Sequence, residues 1–113
     1  MPYREPGAAI QHMLDHAKEA IEMSKGASRP VLEADRKLNL ALTRLVEIIG
    51  EAASRVDAEE RARYTEIQWS QIVGMRNRLI HGYDSVDLDI LWEVVSRDLP
   101  VLVENLEGNS DSK

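Results

Sequence analysis

The chain has 113 residues, a formal net charge of −6, no cysteine and no phenylalanine. That length supports one packed unit rather than two, and the missing cysteines exclude disulfides, thiolate catalysis and cysteine-bound zinc. The acidic balance excludes a molecule-wide basic glove for phosphate backbones, and no segment approaches the roughly 20 apolar residues of a membrane span.

Residues Met1 to Gly7 contain no apolar signal core, so a cytoplasmic protein with no membrane association is expected. Ile10, Met13, Leu14, Ala17, Ala20 and Ile21 recur at three- and four-residue intervals, the pattern of an amphipathic helix. Gly26 to Pro30 breaks it, and Pro30 suits the first turn of a long second helix with Leu38, Leu42, Leu45, Val46, Ile49 and Ala53 on one stripe. Gly50 on that stripe reads as a close helix crossing, because a glycine inside a helix costs about 1 kcal/mol unless packing needs it. Asp57 is placed to cap a short helical piece. A further long helix is expected from Trp69 to a left-handed stop at Gly82, with both tryptophans in the core. Asp84, Ser85 or Asp87 can cap the last helix, which Pro100 kinks or divides, and a small polar tail begins at Gly108. The whole predicts an all-α antiparallel bundle of four main helices and a short fifth, with an ordered core over about residues 8–107.

Charge is unevenly spread. Between Arg61 and His81 four arginines face one glutamate, a local balance of +3. At the end of that stretch, Arg76-Asn77-Arg78-Leu79-Ile80-His81, followed by Gly82-Tyr83, joins a guanidinium, which can hold a phosphate gaining charge, to an imidazole, which moves protons near neutral pH. The bland alternatives are a surface ion pair for Arg76, a helix-terminal histidine for His81 and a ring packed under the last helix for Tyr83. His12, His16 and Glu19 share a helix face but lack a fourth ligand, so no metal site and no cofactor is expected.

Ile48-Ile49-Gly50-Glu51-Ala52-Ala53, the run from Trp69 to Tyr83, Val86-Asp87 through Trp92, and Asp98-Leu99-Pro100 together resemble the HepT-like branch of the HEPN superfamily. The resemblance runs from about Ile10 to Leu106 and centres on Arg76, Asn77, His81 and Tyr83. The residue after Tyr83 is Asp84 where the family favours an aromatic, and the segment from Tyr64 to Gln68 lacks the proline expected before Trp69. The resemblance implies a four- or five-helix bundle acting as a metal-independent ribonuclease toxin. It also implies a nucleotidyltransferase antitoxin that attaches AMP to the motif tyrosine, here Tyr83.

On a regular helix Arg76 and His81 point about 140° apart, whereas Asn77 and His81 share a face. The pair therefore needs the helix to end early, or a homodimer whose cleft gathers two arginines and two histidines. In that cleft one His81 would take the RNA 2′-OH proton and the other protonate the leaving oxygen, while Arg76 holds the phosphate. Asn77 would orient His81 or donate to the phosphate, Arg78 would add charge, and Glu51 would face either the site or solvent. The competing expectation is a non-catalytic helical adaptor, docking a nucleotidyltransferase or binding a nucleotide.

Overall fold

The computed structural model describes residues 7–83 and 85–111. Helix α1 (Ala8–Met23) follows Gly7, whose φ of +82° opens the chain into it, and it buries Ala9, Ile10, Met13, Ala17 and Ala20. The expected long second helix is two. Ser28 caps α2 (Arg29–Ala34) with Pro30 in its first turn, and Asp35 then takes extended backbone and caps α3 (Arg36–Ser54) by accepting from Leu38 N at 3.0 Å. A carboxylate that satisfies a new set of helix N–H groups lets the chain turn there without leaving donors unpaired.

Asp57 caps α4 (Ala58–Arg61) through Glu60 N at 2.9 Å, as expected. Arg61 does not contribute to a free basic spot: it donates to the carbonyls of Val56 (3.0 Å) and Ala53 (3.1 Å), closing the end of α3. Its guanidinium also lies 5.2 Å from the Trp69 ring centroid, a cation–π contact. Trp69 and Trp92 are only partly buried and border the core rather than fill it.

The long helix expected from Trp69 to Gly82 is likewise divided, into α5 (Trp69–Val73) and α6 (Met75–Leu79), with Gly74 between them. The cause lies across the interface. Gly50 of α3 is buried, and a Cβ there would meet the carbonyl oxygens of Ile72 at 3.3 Å and Val73 at 3.5 Å. The end of α5 thus presses its backbone on α3, which is the close crossing that Gly50 announces. Gly74 has its own constraint, since a Cβ would meet the Ser70 carbonyl at 3.1 Å.

Asp87 caps α7 (Leu88–Glu93), after which a π-helical turn (Val94–Asp98) leads into α8 (Leu99–Asp111), which runs on through Gly108. In the π turn Leu99 N reaches back to Val94 O, five residues away. Widening the helix there accommodates Pro100, which has no N–H and would crowd the carbonyl four residues earlier. Of the other two candidate caps, Ser85 instead accepts from His81 N through its carbonyl in the preceding loop, and Asp84 lies outside the described residues.

Helix α1 packs on both α3 and α8, while α2 rests on α7 and the short α5 and α6 lie on α3. The seam holds Met13, Leu42, Val46, Ile49, Leu99 and Leu106, each less than 2% exposed. Burying such a side chain stabilises the fold by about 1.5–3 kcal/mol. Lys18 meets Glu107 across α1 and α8 at 2.5 Å, an exposed pair that adds little by comparison. The fold is all-α, as the spacing predicts, but its four long helices are replaced by two long ones, a jointed third rod and four short pieces. Among the described residues the single strand-like pairing is a bridge between Ile80 and Val86, and no helix is long and apolar enough to cross a membrane.

Candidate active site

Helix α6 is barely more than one turn, and its two ends carry its anchors. Met75 and Leu79, four apart, are both fully buried, while Arg76, Asn77 and Arg78 between them are exposed. Three consecutive helical residues fan through about 200°, so the two arginines cannot face the same way. Arg76 turns to α3, where its Nε lies 3.4 Å from Glu47 Oε2. Arg78 turns to the π turn, with Nη2 3.9 Å from Asp98.

The Arg76 side is an open concavity of about 530 Å³ lined by Arg44, Glu47, Ile48, Glu51 and Arg76. Glu47 is the least exposed charge there and is shared, since Arg44 Nη1 also reaches it at 3.4 Å. Glu51 therefore lines the same hollow as Arg76, while its carboxylate pairs with Arg55 at 3.1 Å. Arg78 belongs to a separate apolar-floored hollow of about 300 Å³ with Met75, Arg97, Asp98 and Leu102. Asn77 is exposed, and among the described residues its side chain makes no hydrogen bond.

The helix stops before His81. Ile80 takes extended backbone (φ −99°, ψ 122°) and pairs with Val86. Two backbone bonds then close the loop: His81 N donates to Ser85 O, and Asp87 N to Leu79 O, each at 2.7 Å. Gly82 is left-handed as expected, with φ +79°, but it turns this loop instead of ending the helix. The helix ends three residues early because Ile80, β-branched and half-buried, packs beside Val86 in extended form, and Asp87 N satisfies the Leu79 carbonyl.

Released from the helix, the His81 ring lies exposed with Nε2 3.8 Å from Asp87 Oδ2. Tyr83 is 97% exposed, which excludes a ring packed beneath the last helix and leaves its phenol open to another molecule. Within the described residues no hydrogen bond or ion pair joins Arg76 to His81; each faces an acid on a different helix. His12 and His16 stand apart from all of this on α1, edge-to-face at 6.3 Å, with His16 Nδ1 donating to the His12 carbonyl. Among the described residues no three histidine, aspartate or glutamate side chains gather as metal ligands.

Sequence reasoning missed three side chains that shape the site. Glu47 and Arg44 lie one turn and two turns before Glu51 on α3, a spacing visible in the sequence, but their approach to Arg76 depends on how α6 rests on α3. Asp87 was read as a cap alone, and its six-residue separation from His81 carries no signal until the loop folds back.

The family described as Ribonuclease HepT-like matches residues 13–108. A candidate RNase of Caldanaerobacter subterraneus subsp. tengcongensis is 34% identical over 104 residues, 92% of this chain and 93% of that one. A candidate RNase of Methanocaldococcus jannaschii is 31% identical over 107 residues, covering 95% and 98% of the two chains. A candidate ribonuclease HepT of Thermococcus cleftensis is 35% identical over 98 residues, 83% of this chain and 89% of its own length. No solved structure matches the chain.

Proposed function

The chain belongs to the HepT-like ribonuclease family, which supports a ribonuclease function, and from that premise we propose that it is a metal-independent endoribonuclease toxin cutting structured RNA such as tRNA. The observation that carries this reading is the early end of α6 at Leu79. It frees His81 from the helix that would hold it away from Arg76, and leaves both side chains exposed.

The chemistry follows from two residue types. The RNA 2′-oxygen attacks the neighbouring phosphorus as one His81 removes its proton; the bond from phosphorus to the 5′-oxygen breaks as a second His81 supplies a proton. The products are a 2′,3′-cyclic phosphate and a 5′-hydroxyl. Arg76 holds the non-bridging oxygens, where charge accumulates. A homodimer supports this better than one chain, because a single Arg76 and His81 face different acids and one imidazole cannot begin as both base and acid. Asn77, exposed and without a partner among the described residues, is free to donate to the phosphate. Arg78 lines a different hollow and serves RNA only as distant charge.

Regulation runs through Tyr83 in this reading. A partner nucleotidyltransferase in the cytoplasm transfers AMP from ATP to its exposed phenol, the phenolic oxygen losing its proton and displacing pyrophosphate from the α-phosphorus. The added phosphate competes with RNA for the guanidinium. The test has two arms. Purified protein incubated with total RNA and EDTA should give discrete fragments ending in cyclic phosphate, and intact RNA would sink the enzymatic reading in favour of an adaptor. Co-expression with the partner should add AMP mass to the wild type but not to Tyr83→Phe, and a Tyr83→Phe protein that still gains the mass would remove the modification site.

A further inference from the structure

Capping α7 uses only half of the Asp87 carboxylate. Oδ1 accepts from Ile90 N at 3.1 Å, and the backbone N–H of the same residue donates to Leu79 O at 2.7 Å. These two bonds fix the carboxylate against the end of α6. Its other oxygen, Oδ2, faces His81 Nε2 across 3.8 Å. His81 is held from its own side by the bond from its N–H to Ser85 O, and the Ile80–Val86 bridge lies between that bond and the one from Asp87 N to Leu79 O.

We propose that Asp87 is the positioning residue of His81, holding the imidazole by Nε2–H so that Nδ1 is the nitrogen that exchanges a proton with RNA. The assignment of Nδ1 to catalysis rests on the ribonuclease reading; the Asp87–His81 pairing does not. An ionised carboxylate can only accept, so the ring nitrogen turned to it must carry the hydrogen. In a neutral imidazole the other nitrogen is then the bare, basic one. The gap exceeds a hydrogen bond by roughly 1 Å, so the pairing calls for the exposed imidazole to turn toward the carboxylate. The side chains are 60% and 35% exposed, so RNA covering the loop would strip water from the pair and tighten it.

Capping and positioning are separable by substitution. Asp87→Asn retains a good cap for Ile90 N and loses the charge, whereas Asp87→Glu retains the charge and caps poorly. Asp87→Asn should melt near the wild-type temperature and cleave RNA at least roughly tenfold more slowly, since an asparagine in place of the aspartate that sets a catalytic histidine's tautomer lowers turnover steeply. Asp87→Glu should melt lower and yet keep more cleavage than Asp87→Asn. Nitrogen NMR of His81 in the RNA-free protein should show a larger Nε2–H share in the wild type than in Asp87→Asn. The proposal is overturned if the tautomer shares are equal, if Asp87→Asn cleaves as fast as wild type, or if its loss merely tracks a lowered melting temperature. A wild type that cleaves no RNA would instead defeat the ribonuclease reading, while the nitrogen spectrum would still decide the Asp87–His81 pairing.

Discussion

Arg76 and His81 stand five residues apart and are held by opposite means. Arg76 rides on a helical turn pinned by two buried side chains, Met75 and Leu79, and its own side chain is directed by Glu47 of α3. His81 has no such anchor; its backbone is fixed by hydrogen bonds across a small loop, and its ring faces the capping aspartate of α7. One half of the motif therefore depends on apolar packing and the other on backbone pairing. Perturbations of α3 should reach the guanidinium first, and perturbations of the 80–87 loop should reach the imidazole first.

The largest expected effect comes from deleting the loop half. His81→Ala should lower cleavage by about 10²–10⁴-fold, the usual worth of a general acid–base group. Its circular dichroism melt should stay near wild type, because the exposed ring contributes little to packing. Cleavage by this variant in EDTA at the wild-type rate would show that the imidazole does no chemistry. Removing the helical half should cost slightly less. Arg76→Ala should slow single-turnover cleavage by about 10²–10³-fold, as losing one preorganised charge stabiliser does. Arg76→Lys should recover only part of that, since an ammonium lacks the planar fork that matches phosphate.

The third experiment strikes the support and leaves both motif residues in place. Gly50→Val puts branched carbon against the Ile72 and Val73 carbonyls, where even a Cβ lies at 3.3 Å and 3.5 Å. It should destabilise the fold by about 1–3 kcal/mol in urea titration. Slower hydrogen exchange around α5 and α6 than in wild type would contradict the idea that this contact seats the arginine. The smallest expected effect is that of Glu47→Gln. Neutralising the carboxylate that Arg76 and Arg44 share should tighten RNA binding at low salt by less than about fivefold, the scale of a partly exposed ion pair. Weaker binding would mean that Glu47 aims the guanidinium more than it competes with phosphate.

Legibility in the sequence follows the same division. Periodicity marks α1 and α3 because their faces repeat every three or four residues against a continuous apolar neighbour. It fails at Asp35 and Gly74, where the same apolar spacing continues across a break. Those breaks arise from a cap that satisfies new N–H groups and from carbonyls pressed on a glycine of another helix. The motif residues were legible by type and order. Their divergence was half legible, since a helical fan separates Arg76 from Arg78 by arithmetic, but the early stop at Leu79 depends on Val86 and Asp87 folding back.

By itself the sequence determined the helical class, the main buried stripes, the tight approach at Gly50 and the identity of the residues with chemistry to offer. Those properties are carried by local spacing and side-chain type, which a chain possesses before it folds. Only the tertiary structure decided that Arg61 is spent on the end of α3, that Glu47 and Glu51 border Arg76, that Arg78 faces elsewhere, and that Asp87 meets His81. Each of those is a meeting of residues from different elements. It is set by how buried faces dock and where backbone bonds close a loop, and neither appears in the spacing of any one segment.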